Sequence, residues 1–206
     1  MVPRNATATL LQQARGFPVL ALTGPRQSGK TTLARSAFPR LPYVNLEDPD
    51  TRELALADPR RFLARLGGGA ILDEVQRSPG LLSYLLGVAD AAPAMGRWVL
   101  TGSQQFGLMA GVAQTLAGRI GLLHLLPFSY RECYQSQSPP DLDQMLFAGL
   151  YPPIHDRRLA PSLWYANYVQ TYVERDVRQL SQITDLVSFR TLAQLAALRT
   201  AQVLVI

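Results

Sequence analysis

The sequence is poor in cysteine, in lysine and in long apolar runs, and each shortage excludes something. A single cysteine, Cys133, rules out an internal disulfide and leaves no partner set for a zinc site. No apolar run reaches the ~18 residues that a membrane-spanning helix needs, so no membrane partner is expected. The opening stretch MVPRNATATLLQQARGFP lacks a long apolar core followed by a small-residue cleavage site. A secretory signal is therefore not expected, and a reducing cytoplasm is the expected compartment. Internal repeats and low-complexity tracts are absent. Lysine is scarcer than composition alone would suggest: every other basic residue is arginine, so Lys30 is the one lysine in 206 residues.

What is present suits a globular chain. Hydrophobic residues make up 48% and charged residues 17%, a balance that excludes disorder. The length fits one domain, or one domain with a smaller appendage. A net charge of +5 permits DNA as a partner, because basic surfaces gain from counterion release. Against that, the arginines are scattered without a dense cluster, amid Ala, Leu, Gly and Pro richness that reads as compositional bias.

One stretch carries chemistry outright. Gly24 to Thr31 reads GPRQSGKT and fits the phosphate-binding pattern G-x-x-x-x-G-K-[ST] without mismatch. A chance match in a chain this long is expected roughly once in a hundred. The context agrees: Phe17 to Thr23 is an apolar run suited to a buried strand, and the following residues place Leu33, Ala34, Ala37 and Phe38 on one helical face. The solitary Lys30 falls where the pattern needs a compact ammonium to reach between two phosphates.

Along the rest of the chain, residues 5–15 read as a short helix capped by Asn5. Tyr43 to Leu46 reads as a second strand, Asp50 as the cap of a helix from Thr51 to Ala57, and Asp58-Pro59 as the start of a helix to Leu66. Ala70-Ile71-Leu72 forms a third strand that ends in Asp73-Glu74, an apolar run into paired carboxylates. Asp73 is suited to hold Mg²⁺ through its water shell and Glu74 to deprotonate an attacking water. A helix spans Pro79 to Ala91. A fourth strand, Trp98 to Thr101, leads into Gly102-Ser103-Gln104, where a small polar side chain has two readings: contact with a terminal phosphate, or a helix N-cap by Ser103. A helix over 105–117 and a fifth strand, Ile120 to Leu125, complete an alternation that predicts a parallel α/β sheet with helices on both faces.

Phe128 to Tyr134 opens a short helix, and Ser136 to Pro140 is the linker candidate, giving domains over 1–135 and 141–206. The second region reads as helical: Asp141 to Gly149, a Tyr151-Pro152-Pro153 turn, a long helix from Ser162 to Gln182, and Phe189 to Arg199. The Tyr165, Tyr168, Tyr172 stripe in the long helix is read as core before base-stacking surface. Glu174 and Arg178 add an i, i+4 pair to it.

Taken together, GPRQSGKTTLAR, YVNLED with DPRRFL, ILDEVQRSPGLL, WVLTGSQQF, LAGRIGLLHLLPFSYRE, and GLYPP with TYVERDVRQLSQITDLVSF resemble a group of prokaryotic AAA+-type P-loop ATPases with a C-terminal region of unknown function. The resemblance implies ATP as nucleotide and a sheet in which the Leu100 strand lies between the loop strand and the Asp73 strand. It implies a phosphate sensor at Thr101 or Ser103. It also implies a homo-oligomer in which an arginine completes a neighbour's site; Arg119 is the candidate, with a strand-anchoring salt bridge as the alternative. The group's chains are longer, so this one is expected to be shortened after Gln202, with Ala201 where the group usually has glycine.

The expected reaction is ATP and water to ADP and phosphate. Gly24, Pro25, Arg26, Gln27, Ser28, Gly29, Lys30, Thr31 and Thr32 would hold the nucleotide, with Lys30 bridging β- and γ-phosphates. Thr31 would ligate Mg²⁺, Asp73 would stand in its outer shell, and Glu74 would be the base. Two alternatives stand beside this: a small-molecule phosphotransferase, and a nucleotide-gated module that engages DNA or a protein client with little turnover.

Overall fold

Alternation along three buried strands and two partly exposed ones explains how the first of two units is layered. The protein, described as a computed structural model over residues 2–91, 94–102, 116–134, 140–173 and 185–198, divides into Met1–Arg158 and Leu159–Ile206. In the first unit, α1 (Ala6–Gln13) precedes β1 (Val19–Thr23), and α2 (Lys30–Ala37) precedes β2 (Tyr43–Asn45). Next come α3 (Pro49–Ala57), α4 (Pro59–Arg65), β3 (Ala70–Asp73), α5 (Leu81–Ala91), β4 (Trp98–Thr101) and β5 (Ile120–His124). All pairings are parallel, in the order β2-β3-β4-β1-β5. The expected α/β sheet is present, and the Leu100 strand lies between the loop strand and the Asp73 strand.

Successive strand residues face opposite sides of a sheet, so a parallel sheet covered on both faces needs apolar residues at every position. On one face Val19, Ala21, Ala70, Leu72, Trp98 and Leu100 pack with Ala55, Phe62, Leu63, Leu81, Leu82 and Leu85 from α3, α4 and α5. On the other, Leu20, Leu22, Ile71 and Val99 meet Leu10 of α1 and Leu33 and Ala34 of α2. Each fully buried leucine contributes about 2 kcal/mol. The crossings leave the carboxyl ends of β1, β3 and β4 along one edge, where sheets of this kind place ligands.

Helix starts follow local chemistry, with three departures from the sequence reading. Asp58 accepts from the Arg61 N–H as expected, but the cap of α3 is Asp48, which accepts from the Thr51 N–H, and Pro49 stands at the first helical position. Asp50 lies inside the first turn. The same Asp-Pro pairing occurs at both starts. Asn5 precedes α1 but makes no side-chain cap; its amide donates to the Ser129 hydroxyl. Tyr151-Pro152-Pro153 does not end in a turn, because Pro152 opens a helix, Pro152–Asp156. Shorter helices at Tyr130–Tyr134 and Leu142–Ala148 precede it, the latter capped by Asp141.

In the second unit, helix Pro161–Tyr168 buries Trp164, whose ring stacks on Tyr168 at 4.8 Å and meets Tyr165 edge-on at 4.9 Å. Tyr165 and Tyr168 are half-buried. The expected long helix changes pitch at Val169–Val173, a π-helical turn in which the Thr171 hydroxyl donates back to the Asn167 carbonyl at 2.6 Å. The last helix among the described residues, Leu186–Leu198, follows Asp185, which accepts from the Val187 and Ser188 N–H groups. Several expectations fall outside the described residues: Ser103, the 105–117 helix, linker residues 136–139, the Tyr172 side chain, the Glu174/Arg178 pair, and the chain from 199 onward.

Candidate functional site

The phosphate-loop sequence begins where β1 ends. Gly24 has φ +138, and a Cβ there would lie 2.2 Å from the Leu125 carbonyl oxygen, so only glycine fits. Pro25 and Arg26 are half-buried, Gln27 is exposed with φ 59, and Ser28 is fully buried. Gly29, at φ +93, precedes the first residue of α2, Lys30. Thr31 is half-buried and Thr32, beside it in the first turn of α2, is exposed. A loop that wraps into a helix N-terminus concentrates N–H donors and the positive end of the helix dipole, a ready anion site.

Lys30 is buried, and its ammonium donates to the carbonyls of Gly24 at 3.0 Å and Pro25 at 2.8 Å. Burial lowers its pKa to about 8, against the pull of Glu74 and Asp73, while Arg26 adds to the depression. The Asp73 carboxylate, buried at the end of β3, collects hydroxyls. The Thr31 Oγ1 donates to it at 2.9 and 3.1 Å, the Tyr43 hydroxyl at 2.7 Å, and the buried Thr101 Oγ1 as well. Glu74 follows in a left-handed conformation, φ 55, a strained choice for a side-chain-bearing residue. The Gln76 amide donates to its Oε2. Lys30, Thr31, Asp73, Glu74 and Thr101 thus converge.

The structure does not bring Arg119 to this cluster. Parallel pairing sets Val19 against Ile120, and the Arg119 carbonyl accepts from the Val19 N–H. Arg119 therefore lies at the amino ends of the strands, the edge opposite the loop, where its guanidinium pairs with Asp90. Within the chain, the strand-anchoring alternative is the one realised.

Beside Gly29 and Thr32 a cavity of about 450 Å³ opens, walled by Pro3, Arg4, Leu33, Phe128 and Pro152. Its size and largely apolar wall suit a small organic group such as a nucleoside. Sequence reasoning missed these walls and three polar partners: Tyr43, Gln76 and Arg4. Tyr43 and Gln76 both lay inside quoted motif segments; Gln76 was legible as a neighbour of Glu74, two residues away, whereas Tyr43 meets Asp73 only through the pairing of β2 with β3. Arg4 gave no local signal, because its contacts come from Ser28, 24 positions on, and from residues over a hundred positions away. Cys133 takes no part; burial first, then the Glu132 charge, pushes its thiol up to about 11.

The hard oxygen donors of Thr31 and Asp73 fit a magnesium ion that shares ligands with a polyphosphate. A parallel sheet carrying this loop and these strand ends defines a P-loop nucleotide-binding domain. The chain belongs to the family described as AAA domain, which matches residues 16–134, and a domain of unknown function (DUF8612) matches residues 139–206. Uncharacterized proteins Rv2008c of Mycobacterium tuberculosis and Mb2031c of Mycobacterium bovis are each 33% identical over 180 residues. That alignment takes in 86% of this chain but 40% of theirs, so the chain spans well under half the length of these relatives. Among solved structures, the Walker-type ATPase PABY2304 of Pyrococcus abyssi matches with TM-score 0.53 at 18% identity, over 97% of this chain and 76% of its own. AMPPCP-bound DnaA of Aquifex aeolicus matches with TM-score 0.50 at 13% identity, over 89% and 67%. At these identities the likeness is one of fold. Among the described residues no helix is long and apolar enough to cross a membrane.

Proposed function

We propose that the chain binds ATP with Mg²⁺ and hydrolyses it to ADP and phosphate. The observation that carries this reading is the convergence of Lys30, Thr31, Asp73 and Glu74 at one sheet edge. Loop residues Gly24 to Thr32 would surround the phosphates, and the cavity beside Thr32 would take the nucleoside. Lys30 would release the Gly24 and Pro25 carbonyls and turn its ammonium to the β- and γ-phosphates. Thr31 and Asp73 would hold Mg²⁺, which supplies charge neutralisation on the phosphates. Thr101, already on Asp73, and Ser103 would stand near the terminal phosphate. Glu74 would take the proton of the attacking water once the Gln76 amide lets it go.

Glu74→Gln is expected to bind ATP as the wild type does and to lose on the order of a hundredfold or more in turnover. Unchanged phosphate release by this variant would remove the base assignment. Phosphate release without any added acceptor separates hydrolysis from phosphotransfer. A steep salt dependence of DNA binding with little turnover would favour the gated module. Specific activity that rises with protein concentration would support a homo-oligomer in which Arg119 serves a neighbouring copy; flat specific activity would remove that role. The client coupled to hydrolysis, DNA or protein, would be engaged in the cytoplasm.

A further inference from the structure

Against the Ser28 carbonyl of the loop lies a largely buried polar cluster that no step above uses. The Arg4 guanidinium, 10% exposed, donates through Nη1 to the Ser28 carbonyl at 2.7 Å. Its Nη2 donates to the Leu126 and Pro127 carbonyls at 2.7 and 3.2 Å, and its Nε to Glu132 Oε1 at 3.2 Å. Its charged face lies 4.9 Å from the Phe128 ring centre. Glu132, 5% exposed, is itself pinned: Oε1 accepts the Asn5 N–H and Oε2 the Ser129 N–H, both at 2.6 Å. We propose that Arg4 is a positioning residue for the nucleotide, fixing the Ser28–Gly29 peptide of the phosphate loop while Glu132 and Phe128 fix Arg4. The proposal rests on the nucleotide reading of the same site.

The geometry gives the reason. In a planar trans peptide the C=O and the following N–H point in opposite directions. A Ser28 carbonyl held toward Arg4 therefore sends the Gly29 N–H to the opposite side. Gly29 sits at φ +93, where a glycine has many alternatives, so nothing in its own conformation prevents the peptide from turning over. A turned peptide would offer a carbonyl where an anion needs a donor. One charge-assisted hydrogen bond decides between the two. Only a planar fork can serve Ser28, Leu126, Pro127 and Glu132 at once, a task beyond the three donors of a lysine. Arg4 also walls the cavity beside the loop, so a nucleoside there touches the residue that aims the phosphate grip.

Isothermal titration of the full chain with MgATP, MgADP and adenosine, on wild type, Arg4→Lys and Glu132→Gln, tests this together with the amide resonance of Gly29 in the nucleotide-free protein. Arg4→Lys is expected to weaken MgATP and MgADP about ten- to a hundredfold, the worth of a hydrogen bond to a charged group. Adenosine, which does not reach the loop, should weaken less than about threefold, and the Gly29 resonance should move. Equal losses for adenosine and MgADP would make Arg4 a wall of the cavity only and overturn the positioning role, as would unchanged affinity for all three. Should Arg4→Lys fail to fold, Glu132→Gln decides: unaltered MgADP affinity with an unmoved Gly29 resonance overturns the proposal. A wild-type chain that binds none of the three ligands overturns the nucleotide reading itself, and the proposal with it.

Discussion

Lys30, which is buried, and Arg4, which is largely so, are cations against one loop, yet they are satisfied in opposite ways. Lys30 leans on two carbonyls of its own loop and stays desolvated, which depresses its pKa to about 8. Arg4 has a buried carboxylate, three carbonyls and an aromatic face, drawn from segments far away in sequence. Burial disfavours the charged Glu132, but the Ser129 and Asn5 N–H groups and the Arg4 charge outweigh it and hold its pKa below the usual value. The difference separates a group waiting to exchange partners from one whose partners stay. A site that must accept charge keeps one cation underpaired, and its frame does not.

The strongest way to break this contrast is to remove the waiting group. Lys30→Ala is expected to abolish measurable ATP binding by titration calorimetry, while the nucleotide-free fold survives. ATP affinity within tenfold of wild type would show that Lys30 is no more than a loop brace. The next largest effect lies on the other side. Glu132→Ala strands the Arg4 charge in a buried setting, so about 3–5 kcal/mol of stability should be lost by urea denaturation, with or without nucleotide. A loss under about 1 kcal/mol would mean that the Arg4 frame is not rigid.

How much of this could be read in advance depended on how local the cause was. The loop, the β3 carboxylates and the strand Trp98–Thr101 stand in contiguous residues, and the structure places them as the sequence suggested. The strand order came from resemblance, since no residue pattern states which buried strand neighbours which. Asp48 and Asp50 flank the same proline, and only geometry shows that the residue before Pro49 does the capping. Pro152 and Pro153 look like a stop, yet proline suits the first turn of a helix as well as a break. Arg4 and Glu132 were invisible as a pair because their partnership spans 128 positions and Arg4 lies outside every motif, although Glu132 closes the segment LAGRIGLLHLLPFSYRE. Arg119 was placed beside a strand correctly, but which end of the sheet that strand begins from decides whether it can meet the loop.

Proton linkage sharpens the contrast on a smaller scale. A lysine whose folded pKa is about 8 against an ordinary 10.5 is neutral in the fold and charged in the unfolded chain between those values. The unfolded state then binds more protons, so Lys30's share of stability rises with pH from about 8 to 10, by roughly 1 kcal/mol per unit. Cys133, pushed up to about 11, acts in the opposite sense above its unfolded value near 9. The Lys30 share is therefore isolated as wild type minus Lys30→Met, measured by urea denaturation at several pH values. That difference should grow in favour of wild type as pH rises, while ATP affinity falls over the same range because the free amine has lost its charge. A flat difference would show that Lys30 is not held desolvated.

The smallest expected effect probes Asp73, whose partners belong to both kinds. The Thr31 hydroxyl would turn to Mg²⁺ when nucleotide binds, whereas Tyr43 reaches Asp73 from β2, its ring under the Arg35 guanidinium at 4.9 Å. Burial first, then the hydrogen bond to Asp73, raises the Tyr43 phenol well above its ordinary pKa, so it remains a donor throughout the physiological range. Tyr43→Phe removes that donor and keeps the ring, and Asp73 retains Thr31 and Thr101. The expected cost is about 0.5–1.5 kcal/mol of stability, the same with and without MgATP, and less than about a tenfold change in turnover. Urea denaturation in both states decides it. A cost that vanishes when MgATP is present would move Tyr43 from the standing partners to the exchanging ones, and the carboxylate at the end of β3 would then change its whole shell on binding.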